Sequence, residues 1–109
     1  MSEQHLVVLC TVPDRESAGS LAETVVNEHL AACVSIVPEV LSVYRWKGRA
    51  ETDSELLLII KTSRAQYQNL EERLREKHPY ELPEIIAVPI TAGLAGYLAW
   101  IESSTSGEE

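Results

Sequence analysis

Residues 31–62, AACVSIVPEVLSVYRWKGRAETDSELLLIIKT, carry two apolar, β-branched runs on either side of Lys47 and Gly48, and they constrain the fold more than any other stretch. The pattern predicts one long β-hairpin turning near that Lys-Gly pair. A typical strand holds about 5 to 6 residues. The first arm, residues 33–46, is more than twice that length and is interrupted only by Pro38 and Glu39. At ~3.3 Å per residue it spans ~45 Å, whereas a domain of this size is expected to have a radius of gyration of roughly 13 Å. The overhang must find cover outside its own subunit.

The 109 residues are 45% hydrophobic and 24% charged, which suits one globular domain with a single core. A net charge of -8 argues against a polyanionic partner, since no basic cluster exceeds the alternating Arg45, Lys47 and Arg49. Nucleic acid and anionic membrane surfaces are therefore not expected. No run approaches the ~18 apolar residues of a membrane span, and the short run at 6–9 is too brief for a secretory signal. A cytoplasmic protein is expected, with Cys10 and Cys33 as reduced thiols that lack CxxC spacing.

Along the chain, LVVLCTV (residues 6–12) reads as a central strand ending at Pro13. Asp14 is placed to cap a helix on which Ala18, Leu21, Ala22, Val25, Val26 and Leu30 share one face, with His29 in its last turn. After the hairpin, Ser63 and Gln66 form a capping-box pattern before a helix with a Tyr67, Leu70, Leu74 stripe that stops before Pro79. Residues 84–90 read as an edge strand, because Pro89 cannot donate to a ladder. A short last helix carries Leu94, Tyr97, Leu98, Trp100 and Ile101, and from Ser103 onward the tail is expected to fray. This order gives an α+β fold of ferredoxin-like type, βαββαβ plus a short C-terminal helix. One domain is expected over residues 1–103, with a disordered tail at 104–109. Right-handed crossovers put both long helices on one face of a four-stranded antiparallel sheet and leave the other face needing cover.

The two-residue period of a strand points Ser42, Tyr44 and Trp46 one way and Leu41, Val43, Arg45 and Lys47 the other. Two such aromatic rings bury on the order of 300 to 500 Å² together, so they need cover, either from the helices of the same chain or, the preferred reading, from a neighbouring subunit. Glu51, Asp53 and Glu55 share a face of the second arm, where they can gather a hard cation or keep a strand edge solvated. Cys10 and His78 are the one plausible soft-metal pair, since thiolate and imidazole suit copper or zinc; a buried cysteine and a helix-end cap are the structural alternatives. Phosphate-binding, dinucleotide, nucleophile-elbow and zinc-protease motifs are all lacking, so the chain is not read as an enzyme.

VVLCTVPD (residues 7–14), LAACV (30–34), SVYRWKG (42–48), ELLLIIKT (55–62), HPYELPEI (78–85) and YLAWI (97–101) occur in the order found in CutA proteins, which the chain resembles over nearly its whole length. The resemblance implies a cytoplasmic homotrimer, similar to PII signalling proteins, in which the hairpins exchange contacts around a threefold axis. It also implies a role in divalent-cation tolerance, with weak binding of copper or another divalent cation that folding does not require. By position, Cys10 and His78 are then the copper-linked residues. Val43, Tyr44, Arg45, Trp46 and Lys47 form the trimer interface, and Lys61, Tyr80 and Glu84 line an inter-subunit cleft. Some relatives carry a second histidine where this chain has Lys77, whose ammonium is no ligand. Ser35 stands where relatives commonly have Asn. Glu39 stands where they commonly have Gly, implying that the kink after Pro38 needs no positive φ here. A PII-like small-molecule module and a structural assembly platform are the competing functions.

Overall fold

Residues 4–107 are described by the computed structural model. Strand β1 (His5–Val12) lies in the middle of the sheet, as its apolar run requires, between β3 (Arg49–Ser63) and β4 (Ile86–Pro89). With β2 (Cys33–Trp46) the sheet order is β2-β3-β1-β4, antiparallel at every joint. β2 and β3 form the predicted hairpin, and its two-residue turn takes positive φ at both Lys47 (52°) and Gly48 (80°). That double left-handed geometry matches the right-handed twist of the arms. The hairpin dominates the outline of the molecule, which measures 44 × 28 × 22 Å.

Helices α1 (Arg15–Asn27) and α2 (Tyr67–Lys77) cover one face. Asp14 caps α1, its carboxylate accepting the Ser17 amide at 2.8 Å. Ala18, Leu21 and Val25 of α1 and Leu70 and Leu74 of α2 close the core over Val8, Cys10, Val12, Leu56, Leu58 and Ile60. Every second residue of β1 and β3 thus faces the helices. The opposite set includes Leu9, paired with Ile59 and Ile86, and Val7, paired with Val88. On this second face Ile86 is 52% and Val88 49% exposed, so its β4 side lacks cover among the described residues, while the last helix (Ala95–Ser106) lies against β3 and β1.

Between Val37 and Val40 the β2–β3 register slips, two residues of β2 opposing one of β3. Glu39 sits in this bulge at φ 60°, which corrects the expectation that a glutamate there signals ordinary backbone. The extra residue inverts the alternation of β2. Val40, Ser42, Tyr44 and Trp46 therefore pair with Glu55, Asp53, Glu51 and Arg49, on the same side as Leu57 and Ile59 and away from the helices.

Three local expectations change. Ser63 makes no side-chain cap, and residues 64–66 form a 3-10 turn before α2; the Ser63 hydroxyl instead accepts from Thr105 Oγ1 at 2.9 Å. His29 lies beyond the end of α1 at φ 62°, with Nδ1 3.1 Å from the Ser104 carbonyl oxygen. The tail does not fray at Ser103, because α3 (Ala95–Ser106) continues to Gly107 (φ 83°), where the left-handed backbone ends it. Thr105 is 1% exposed and its carbonyl accepts the Gln66 amide at 3.0 Å, contacts that polar composition alone did not announce. Glu108 and Glu109, assigned to the tail, lie outside the described residues.

Candidate functional site

The chain leaves α2 at Lys77, rounds the end of β1 through His78-Pro79-Tyr80, and enters β4 on the far side. This corner is held by one imidazole. The Tyr80 amide donates to His78 Nδ1 at 3.0 Å, so that nitrogen is the acceptor and the ring proton sits on Nε2, which donates to the Thr11 carbonyl oxygen at 2.7 Å. The His78 and Tyr80 rings lie 4.8 Å apart, tilted by 46°.

From there the Tyr80 hydroxyl donates to Glu55 at 2.6 Å. Glu55 is only 7% exposed, so this carboxylate is not the solvated strand edge that its spacing allowed. Burial, and next the hydrogen bond to Glu55, push the Tyr80 phenol up. Two residues along the same face, the Tyr44 hydroxyl donates to Asp53. That bond is the main reason the Tyr44 phenol is pushed up to about 12. Two of the three carboxylates on this face, Asp53 and Glu55, thus have phenol partners, on the strand and the corner respectively.

Corner and hairpin enclose a groove of about 640 Å³, with Tyr44, Trp46 and Tyr80 as its aromatic walls and Asp53, Glu55, Glu81 and Glu84 as its acidic ones. Among the described residues Arg45 is the one cation lining it. Of the residues expected in an inter-subunit cleft, Tyr80 and Glu84 meet here. Lys61 does not: it lies six residues beyond Glu55 on β3, about 20 Å along the strand, paired with Cys33. Its Nζ is 4.0 Å from Cys33 Sγ, and the Tyr97 hydroxyl also reaches that thiol.

Cys10 and His78 are placed differently from one another. Cys10 faces the helices, wholly buried in the core, with its Sγ 3.9 Å from the Thr11 carbonyl oxygen. Burial, then the negative charges of Glu84 and Glu55, push the thiol up to about 12, which disfavours the thiolate that a metal would need. Both nitrogens of His78 are occupied by the backbone. The pair therefore does not fit a soft metal ion, and no group of three or more His, Cys, Asp or Glu side chains among the described residues is arranged to hold one. The structural alternative for Cys10, a buried core residue, holds, whereas the Thr11 partner of His78 and the burial of Glu55 were not readable, since both depend on positions far away in the chain.

A family model described as CutA1 divalent ion tolerance protein matches residues 6–104. Among curated proteins, the chain is 50% identical over 100 residues to the chloroplastic protein CutA of Arabidopsis thaliana, spanning 92% of this chain and 55% of that protein. It is 48% identical to the divalent-cation tolerance protein CutA of Thermus thermophilus, over 91% of this chain and 96% of that protein. The solved structure of the Thermus thermophilus protein superposes with a TM-score of 0.91, covering 93% of this chain and 98% of that one.

Proposed function

The chain belongs to the CutA1 divalent ion tolerance protein family, and from that membership we propose that it serves divalent-cation tolerance as a homotrimer clasped by its long hairpins. The observation that carries this reading is the state of the outer hairpin. Leu41 and Val43 are 68% and 67% exposed, Tyr44 and Trp46 remain exposed beside them, and the face opposite α1 and α2 is apolar and open at Ile86 and Val88. Apolar surface of this extent, on a β ribbon with free edges, calls for a partner. A neighbouring copy offers the same surface, and a head-to-tail contact that closes after three copies consumes every hairpin. Val43, Tyr44, Arg45, Trp46 and Lys47 are the proposed clasp.

Divalent cations, copper among them, are bound weakly in this reading. The net charge of -8 and the carboxylates of the groove supply the attraction, and folding does not depend on an ion because the core closes on apolar contacts alone. The two free thiols suit a reducing cytoplasm. No catalytic chemistry is proposed. In light scattering the protein should have three times the 12.1 kDa chain mass. A copper-sensitive bacterial strain lacking its own family member should regain growth when given this chain. A monodisperse monomer removes the clasp, and failure to restore growth removes the tolerance role.

The groove supports a second reading, a PII-like module for a small molecule, because its aromatic and acidic walls converge beside the corner. A melting shift with one compound of a broad metabolite panel, abolished in Tyr80→Phe, is the outcome that reading requires.

A further inference from the structure

We infer that His78 is a positioning residue, the latch of the corner between α2 and β4, and that Cys10 and His78 are not a metal centre in this chain.

An imidazole binds a metal through a nitrogen lone pair. Nδ1 of His78 already spends its lone pair on the Tyr80 amide, and Nε2 carries the proton donated to Thr11. Turning the ring toward an ion would break both bonds inside a site where His78 is 8% exposed, stranding a backbone amide and a carbonyl. Cys10 offers no help. Its side chain belongs to the helix-covered core with Val8 and Val12 and is completely buried there. The preceding position, Lys77, provides no alternative imidazole.

The same two bonds have a positive task. They fix Tyr80 so that its hydroxyl reaches Glu55 at 2.6 Å, and a carboxylate so little exposed needs that donor. His78 thereby sets the acidic and aromatic end of the groove without touching its contents.

Asparagine separates the two roles. Its side-chain oxygen can accept the amide two residues on, as in an Asx turn, yet it is no substitute for an imidazole toward copper or zinc. The experiment compares wild type, His78→Asn, His78→Ala and Cys10→Ala, reduced and folded by circular dichroism. Cu(I) and Zn(II) affinities are measured by competition with a chromophoric chelator, and Tyr80 amide protection by hydrogen exchange. A latch predicts Tyr80 protection close to wild type in His78→Asn and lost in His78→Ala, with metal affinities alike in all four proteins. A ligand role predicts a fall of about tenfold or more, equal in Asn and Ala, because even supporting groups of metal sites are worth about 10–100-fold. Such a fall, or the same fall in Cys10→Ala, overturns the assignment; any smaller change counts for it. Independently, the long-range ¹H–¹⁵N spectrum of wild type should show His78 protonated on Nε2 and unmoved by Zn(II). A His78 nitrogen that shifts on metal addition also overturns the inference. Neither outcome bears on the trimer or on growth under copper, which are read by mass and by complementation.

Discussion

The inner and outer halves of the hairpin belong to one pair of strands, joined through the bulge at Pro38-Glu39, and have opposite surroundings. From Cys33 to Val37, paired with residues 57–61, the ribbon is part of a sheet backed by two helices, and Leu58 and Ile60 are completely buried. From Val40 to Trp46, paired with residues 49–55, the ladder continues with no helix behind it and Leu41 and Val43 lie open. In the inner half β3 is paired on both sides, with β2 and β1, and in the outer half with β2 alone. The larger difference is the apolar surface removed from water, worth roughly 25 cal/mol per Å². The inner half is stable on its own account. The outer half is stabilised by the inner half's register and, in the proposed trimer, by a neighbour.

The sharpest way to break this contrast is Leu58→Ala. Truncating a side chain with no exposure should cost about 2–5 kcal/mol in urea unfolding, at any protein concentration. Removing the outer rings in a Tyr44→Ala, Trp46→Ala double variant should instead act on assembly. Sedimentation should find the 12.1 kDa chain mass, and the melting temperature should lose the concentration dependence expected of an oligomer. A variant that keeps its trimer would place the clasp elsewhere.

Alkaline pH probes the inner half again. The Cys10 thiol is raised from 9.0 to about 12, so between those values the unfolded chain releases a proton that the folded chain retains. That contribution is fully present below about pH 9 and is lost as pH rises toward 12. Urea midpoints of wild type should fall over this window, and the fall should be shallower in Cys10→Ala, which has no thiol to ionise. Equal slopes would show that the core thiol is not the group responsible.

The smallest effect lies at the joint between the halves. Glu39 holds a left-handed backbone at φ 60° that favours glycine. Glu39→Gly should relieve strain while giving back some unfolded-state entropy, a net gain of about 0.5–1 kcal/mol. A loss of stability of that size would mean the glutamate side chain contributes more than its backbone costs.

Much of this architecture was legible because strands and helices write their periods into the sequence. The apolar β1, the two arms, the Lys47-Gly48 turn and the Leu70, Leu74 stripe all lie where the pattern put them. The last turns of α3 were not legible, because Ser104 and Thr105 are polar and are buried through bonds to Ser63, Gln66 and His29 rather than through apolar contact. At the site, residue type alone made Cys10 and His78 look like partners, and it left Glu55 open between ligand and solvated edge.

What the sequence alone determined is the long hairpin, the α+β order and the pattern that marks the chain as a family member. Only the tertiary structure decided which side each residue faces. Alternation states that neighbours on a strand diverge, but not which set meets the helices, and the bulge at Pro38-Glu39 reverses the answer midway along β2. Tertiary structure likewise decided the chemistry of the corner, since the bonds from His78 to Thr11 and from Tyr80 to Glu55 join positions 67 and 25 residues apart. A local pattern carries no information about such partners, and it is those partners that make His78 a latch.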